Sequence, residues 1–189
     1  SSIKPAARPP ARRSDWTRAP SRICTPRPRS ARSRLRVTSL ARSIDMPQNG
    51  LGQDKIQTSA IFPPSTSSAD NVCANFAADK TDAYLIHCGE GVDLQSLQEF
   101  QTLGTVTTTD GCLIAAPTVI THGIAFGPDE FTAMAAADMK LTWSPASNFD
   151  LYGATADIPA ALAANVLVSL GPDWSMGGSQ NLVAEMRFA

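Results

Sequence analysis

Apolar and polar positions between residues 71 and 189 predict short strands that alternate with helices. Four runs are apolar enough to form strands: AYLIHC at 83–88, PTVITHGIAF at 117–126, MKLTWSP at 139–145 and VLVSLGPDW at 166–174. The continuous apolar run AYLIHC is typical of a strand that is covered on both faces. These runs predict four strands whose side chains belong to a common core.

The segments between and after these runs have helical spacing. DLQSLQEFQTLG at 93–104 places apolar residues on one side, and GPDEFTAMAAAD at 127–138 begins with proline and two acids. Further helices are predicted at 71–79, 157–165 and 178–189. Strands that alternate with helices predict an α/β fold with a parallel sheet, either doubly wound or half of a (β/α)8 barrel. No GxGxxG motif follows a strand, which weakens the dinucleotide-binding version.

Residues 1–70 have a different composition from the rest of the chain. The first 42 residues carry 12 of the 16 Lys and Arg residues and one acid, Asp15. Residues 1–50 are predicted to be a disordered leader rich in Arg, Ser and Pro, because their apolar content cannot offset the chain entropy. A transit peptide and a basic nucleic-acid-binding arm are the alternatives for this leader. Residues 51–70 are predicted to be a loop-like linker, and residues 71–189 the α/β unit.

The length of the apolar runs and the spacing of the cysteines exclude some classes of protein. No run of about 18 apolar residues is present, so no membrane helix is predicted. The four cysteines are scattered without a CxxC pair, which predicts neither a thiolate zinc site nor a disulfide framework. A cytoplasmic location is therefore the default expectation.

Polar side chains collect at the carboxyl ends of the predicted strands. His87 ends the first strand, His122 the second and Asp173 the fourth, while Glu90 follows His87 in a turn that Gly89 and Gly91 allow. In parallel α/β folds this end of the sheet is where active sites lie. Imidazole and carboxylate groups are suitable ligands for a cation such as Zn²⁺, and a nearby glutamate can shuttle a proton.

Structural explanations exist for each of these residues taken alone. A histidine at a strand end is usually hydrogen-bonded, Asp173 could cap the next helix, and Glu90 could be a solvated loop acid. Ser147 and Asn148 fit turn and capping chemistry better than catalysis. The coincidence of all the strand-end groups on one edge favours the metal interpretation.

The motifs LIHCGEG, VITHGIAF, WSPASNFDLYG and LGPDWSMGGSQNLVAEMRFA resemble successive strand ends of the metal-dependent amidohydrolase superfamily. The resemblance covers residues 71–189 and is strongest to the group of cytosine and guanine deaminases and s-triazine chlorohydrolases. It implies a partial (β/α)8 TIM-type barrel, in which the four strands are barrel strands five to eight with their helices.

The resemblance also implies site roles. It implies one bound ion, Zn²⁺ or Fe²⁺, with His87 and Asp173 as metal ligands. It further implies catalytic roles for three residues. Glu90 shuttles a proton, His122 orients or polarises the substrate or its attacking water, and Asp173 takes a proton from that water. Ser147 and Asn148 match a structural P-x-S-N element.

The implied function is metal-dependent hydrolysis or deamination of a C–N or C–Cl bond at an amidine-like carbon through metal hydroxide. The implied substrate is a small nitrogen heterocycle or amidine, with neither nucleic acid nor membrane as a partner. The family's strand-one His-x-His pair has no match, because the chain holds only two histidines. We therefore expect a C-terminal half barrel that is nearly inactive by itself and self-associates. The alternative is a non-catalytic, truncated half barrel that only self-associates or binds a partner.

Overall fold

The computed structural model describes residues 55–174 and 176–189 of the chain. Five strands form one parallel sheet in the order β1-β2-β3-β4-β5. They are β1 (Ile56–Ser59), β2 (Ala83–Cys88), β3 (Thr118–His122), β4 (Lys140–Trp143) and β5 (Leu167–Leu170). The prediction of a parallel α/β sheet is confirmed, and the leader predicted for residues 1–50 lies outside the described residues.

Within the described part of the chain, six helices connect or follow the strands. They are α1 (Thr66–Ala77), α2 (Leu94–Thr105), α3 (Pro128–Ala136), α4 (Pro145–Tyr152), α5 (Ile158–Ala163) and α6 (Leu182–Phe188). Side chains cap four of them: Ser65, Asp93, Asp157 and Asn181 accept hydrogen bonds from backbone N–H groups in the first turns of α1, α2, α5 and α6. The predicted start of α3 at Pro128 is confirmed, and the Glu130 carboxylate accepts a hydrogen bond from the N–H of Gly127.

Strand β1 and the beginning of α1 lie in the stretch predicted to be a linker. The segment IQTS has only one strongly apolar residue, so its sequence carries no strand signal, yet it pairs with β2 from Ile56 opposite Ala83 to Ser59 opposite Ile86. Tertiary pairing overrides weak local propensity here. The sheet therefore has five strands rather than the four that the sequence predicts.

The core lies between the sheet and its helices. Tyr84, Ile86 and Cys88 of β2 are buried, whereas the alternating residues of that strand are only half-buried. The buried strand residues pack with a set of buried helix residues: Ala69, Val72, Leu103, Phe131, Met134 and Ala161. The expectation that β2 is buried on both faces is wrong for the described residues, because helices cover one face and the other carries His87.

A disulfide joins Cys73 of α1 to Cys112 in the loop before β3, and its Cα atoms are 6.1 Å apart. The prediction that the cysteines form no disulfide framework is therefore wrong. The two cysteines are 39 positions apart in the chain, which is not a recognisable motif spacing, and only the packing of α1 beside this loop brings them together.

No helix in the stretches 55–174 and 176–189 combines the length and apolar character that crossing a lipid bilayer requires.

Candidate functional site

His87 lies near the carboxyl end of β2, on the face that the helices leave open. Its Nδ1 atom is 3.2 Å from the carbonyl oxygen of Ser59 in the neighbouring strand β1. A carbonyl oxygen can only accept, so Nδ1 is the donor, and in the neutral ring Nε2 has the free lone pair. Strand β1, which the sequence did not predict, thus sets the tautomer of a predicted metal ligand.

Glu90 lies in the loop that turns back immediately after β2. Gly89 begins this turn with φ of 68°, and its N–H donates a 2.7 Å hydrogen bond to the Glu99 carboxylate of α2. A Cβ at position 89 would come within 2.5 Å of the Phe126 ring, so only glycine fits. This turn carries the Glu90 carboxylate over the end of β3.

His122 ends β3 and departs from the regular alternation of side chains. In the ladder, Thr121 is opposite His87 and His122 is opposite the buried Cys88, so a regular strand would keep the two histidines on different faces. The backbone of His122 has φ of 77°, a left-handed value that is uncommon for a residue with a Cβ. The two imidazole rings instead lie side by side, with centroids 5.1 Å apart.

The His122 side chain is only 1% exposed. Its Nδ1 atom is 2.9 Å from Oδ1 of Asn148 in α4. Its Nε2 atom is buried and has no hydrogen-bond partner, the nearest acid being Oε1 of Glu90 at 3.5 Å. A buried nitrogen that is left unsatisfied in this way is costly unless another group completes it.

Asp173 follows β5 and also has a left-handed backbone, with φ of 58°. It lines a cavity of about 550 Å³ together with Ala60, His87, Glu90, Leu151 and Trp174. One ligand atom each from His87, His122 and Asp173 lie within 4.8 Å of one another. The structure therefore brings all four residues singled out from the strand ends into one place.

This donor set fits a divalent cation. Zinc binds histidine nitrogen and carboxylate oxygen at about 2.0–2.2 Å, which places tetrahedral ligands about 3.4 Å apart. The three donor atoms would have to approach one another by at most about 1.4 Å, starting from separations within 4.8 Å. The unpartnered Nε2 of His122 is the feature of the protein that a bound cation would satisfy.

Tyr152, at the end of α4, was not singled out from the sequence. Its hydroxyl donates a 3.2 Å hydrogen bond to Oε1 of Glu90. Burial, followed by the negative charge of Glu90, raises the pKa of Tyr152 to about 12. The hydroxyl therefore stays protonated and remains a donor to Glu90 throughout the neutral range.

The half-buried Glu99 and the buried Cys88 also have raised pKa values. Burial raises the pKa of the Glu99 carboxyl, and the charge of Glu90 adds to this effect, while the hydrogen bond from Gly89 opposes it. Burial likewise raises the pKa of the Cys88 thiol. Cys88 is fully buried in the core next to His87 in the chain, so it stays a neutral packing residue.

The P-x-S-N element forms part of a helix rather than an isolated turn. Pro145 begins α4, and Ser147 and Asn148 are fully buried within it. Glu185 of α6, also fully buried, accepts a 2.9 Å hydrogen bond from the N–H of Ala146 in the first turn of α4. Ser147 and Asn148 thus lie in a helix and not in a turn, but the Ser147 hydroxyl donates over 3.2 Å to the carbonyl of the N-cap residue Ser144, which fits the capping part of the prediction. Asn148 contacts the site residue His122 directly.

No family model matches the chain. The chain is 30% identical over 140 residues to a 5-methylthioadenosine/S-adenosylhomocysteine deaminase of Bacillus cytotoxicus, which covers 70% of the chain and 32% of that protein. A protein of the same name from Haloquadratum walsbyi is 27% identical over 139 residues, with 66% and 29% covered. The chain thus spans about a third of the length of the curated relatives it matches.

Solved structures share the fold at lower identity. A triazine hydrolase variant superposes with a TM-score of 0.53 at 15% identity, covering 65% of the chain and 28% of that structure. An atrazine chlorohydrolase of Arthrobacter aurescens, complexed with zinc and atraton, gives the same score, identity and coverage. The prediction of a partial barrel is confirmed, because only about a quarter of each barrel enzyme is matched.

Proposed function

The chain belongs to the amidohydrolase superfamily, and from this premise we propose that it forms part of a metal-dependent hydrolase or deaminase. One observation carries the proposal: His87, His122 and Asp173 present ligand atoms within 4.8 Å of one another, beside Glu90. The reaction class is displacement of an amine or chloride from an amidine-like carbon by water. Both the activity and the site roles below are proposals.

The proposed metal ligands are His87 and Asp173. His87 is suited to this role because its Nδ1–H is held by the Ser59 carbonyl, which leaves Nε2 free and orients the ring. When bound, a divalent ion such as Zn²⁺ or Fe²⁺ lowers the pKa of a water molecule toward neutrality and so supplies a nucleophile. The Asp173 carboxylate, at the rim of the cavity, takes the proton that this water releases.

Glu90 is the proposed proton shuttle. Its carboxylate lines the cavity and is 27% exposed, so it can reach a leaving group from the solvent side. Two features position Glu90. The turn that begins at Gly89 sets its backbone, and the Tyr152 hydroxyl donates a hydrogen bond to its carboxylate. Protonation of the departing amine by Glu90 would make it a better leaving group.

The proposed substrate is a small nitrogen heterocycle that carries an amine or halide on an amidine-like carbon. This class is suggested by the names of the relatives, which are deaminases of 5-methylthioadenosine and S-adenosylhomocysteine and hydrolases of triazines. A cavity of about 550 Å³ has room for one such ring. Trp174 and Leu151 supply apolar walls against which a planar ring can pack.

Metal titration of the purified chain tests this proposal. We expect one Zn²⁺ to bind per chain, measured by competition with a chromophoric chelator, and binding to be lost in His87→Ala and in Asp173→Ala. Asp129→Ala, which removes an exposed acid from α3, is the matched control and should bind normally. Zinc binding that survives both site variants would contradict the proposal.

Turnover of cytosine, guanine and s-triazine substrates by the loaded chain completes the test. We expect activity close to the detection limit, because catalytic zinc sites normally take three protein ligands and the strand-one histidines have no match. Clear turnover that Asp173→Ala abolishes would mean that residues outside the described part of the chain supply further ligands.

A second property, self-association, is favoured by exposed apolar side chains. Leu167 of the terminal strand β5 is 67% exposed and Met186 of α6 is 62% exposed. Such surfaces promote association. Light scattering at tens of micromolar should show species larger than one chain, and Leu167→Lys with Met186→Lys should reduce their size. A clean monomer for the unaltered chain would contradict this expectation.

A further inference from the structure

A line of hydrogen bonds leads from Trp143 to Nδ1 of His122, the residue whose other ring nitrogen, Nε2, has no hydrogen-bond partner. The indole Nε1 of Trp143 donates to the hydroxyl oxygen of Thr155 over 2.6 Å. The amide Nδ2 of Asn148 donates to the same oxygen over 3.2 Å. Oδ1 of Asn148 then lies 2.9 Å from Nδ1 of His122.

The first bond is fixed by its donor, and the directions of the next two follow from the orientation of the Asn148 amide, whose Nδ2 faces Thr155. An indole N–H can only donate, so Thr155 must accept from Trp143. A hydroxyl oxygen has two lone pairs, so it can accept from the NH₂ of Asn148 as well. With its NH₂ turned toward Thr155, Asn148 must turn its carbonyl oxygen toward His122. Nδ1 of a neutral His122 must therefore be the donor.

We propose that Trp143, Thr155 and Asn148 act as positioning residues that lock His122 in the Nδ1–H tautomer. The lock leaves a bare Nε2 lone pair 3.5 Å from Oε1 of Glu90, in the group of donor atoms that His122 forms with His87 and Asp173. His122 then acts as a lone-pair donor to the metal or as a proton acceptor for its water, and not as a hydrogen-bond donor to substrate. This inference deepens the proposed function, on which its metal-related part rests.

Two further observations support the lock. The left-handed backbone of His122, with φ of 77°, turns its ring away from the helix-covered face and toward Asn148 and His87. A residue keeps a strained backbone of this kind only where its surroundings hold it in that conformation. Asn148 is itself held in place, because it is fully buried and Glu185 holds the first turn of its helix.

The decisive measurement is the tautomer of His122 by long-range ¹H–¹⁵N NMR of the metal-free chain. The ¹⁵N shifts themselves report whether the ring is neutral, and the pH is raised until they show a neutral ring. Because the chain has two histidines, His87→Gln assigns the spectrum. We expect His122 to be protonated at Nδ1. A ring protonated at Nε2 would overturn the proposal.

Variants at position 148 separate positioning from mere packing. Asn148→Leu removes the acceptor and should shift His122 toward a tautomer mixture, whereas Asn148→Asp keeps the acceptor and should restore the Nδ1–H form. Asn75→Leu is the matched control, since Asn75 is a buried asparagine whose amide donates to Gln57 instead of contacting a histidine. An unchanged His122 spectrum in a folded Asn148→Leu protein would overturn the proposal.

Zinc affinity provides the second readout. We expect Asn148→Leu to weaken Zn²⁺ binding about 10- to 100-fold, as loss of an orienting partner does at other metal sites, and Asn148→Asp to recover most of it. Absence of zinc binding together with the expected tautomers would refute the metal proposal and leave the lock intact. Normal zinc binding by Asn148→Leu would refute only the claim that the lock contributes to metal binding.

Discussion

On the helix-covered face of the sheet, Ile86, Ile120 and Leu141 are fully buried and follow the regular alternation of strands. At the carboxyl ends of the strands, His122 and Asp173 instead have left-handed backbones, with φ of 77° and 58°. A buried nitrogen of His122 is also left unpartnered there. The helix-covered face therefore has the regular packing of a stable core. The strand ends instead keep strained backbones and a polar atom without a partner, which is typical of a site that a ligand completes.

The largest loss of stability should follow removal of the disulfide in the helix-covered region. Replacing Cys73 and Cys112 by serine opens a loop with a separation of 39 residues. The chain-entropy estimate for such a loop is about 4 kcal/mol of unfolding free energy. Urea denaturation measures the loss. Zinc affinity of the protein that remains folded should not change, and a selective loss of affinity would mean that the two regions are coupled.

Alanine substitutions at neighbouring residues of β2 should lower the free energy of unfolding by different amounts, depending on the face of the sheet that each residue occupies. Ile86→Ala opens a cavity beneath the helices and should cost about 3 kcal/mol, whereas Leu85→Ala, on the half-buried face, should cost about 1 kcal/mol. Urea denaturation of both variants measures the two losses of unfolding free energy and so their ratio. Equal losses would show that the open face is packed as firmly as the covered one.

Asp173→Gly should separate stability from function. Glycine adopts left-handed φ without penalty, so we expect the variant to be more stable than the wild-type chain by about 1 kcal/mol. The same change removes a proposed metal ligand and should abolish zinc binding. Asp173→Ala is the control, since alanine keeps the Cβ and gains no backbone relief. A less stable glycine variant would show that the carboxylate stabilises the fold.

The smallest effect concerns the pH dependence of stability. The pKa of Tyr152 is about 12 in the fold against 10.0 for an exposed tyrosine, so the folded protein holds this proton more tightly. Its contribution to stability is therefore present below pH 10 and is lost as the pH rises through about 12.

Tyr152→Phe provides the comparison for this effect. The stability of the variant should fall less steeply than that of the wild-type chain above pH 10. Absorbance titration should assign the change to Tyr152, because Tyr84 is the other tyrosine of the chain. Ionisation of Tyr152 near pH 10 would contradict its burial beside Glu90.

The sequence predicted the parallel sheet and the positions of His87, Glu90, His122 and Asp173, because buried strands and their polar ends leave a strong local pattern. It failed where only tertiary contacts decide the structure. Strand β1 is too short and polar to be recognised, and Cys73 meets Cys112 only after α1 has packed.

The hydrogen-bonding part of the site was harder still to predict. The P-x-S-N element was visible, but whether Asn148 faces a histidine depends on the helix α4 and on the left-handed backbone at His122. Neither follows from the spacing of residues along the chain. Tyr152 was missed for a similar reason, since 62 residues separate it from Glu90.

The buried thiol of Cys88 has a practical consequence for kinetic work. It is 0% exposed, and its burial keeps it protonated, so alkylating reagents can reach and attack it only when the protein opens. With Cys73 and Cys112 paired and Cys24 replaced by serine, the labelling rate of Cys88 would count opening events of the interior beneath β2. The residue adjacent to His87 therefore reports native-state fluctuations through its alkylation rate, which mass spectrometry measures without an engineered cysteine.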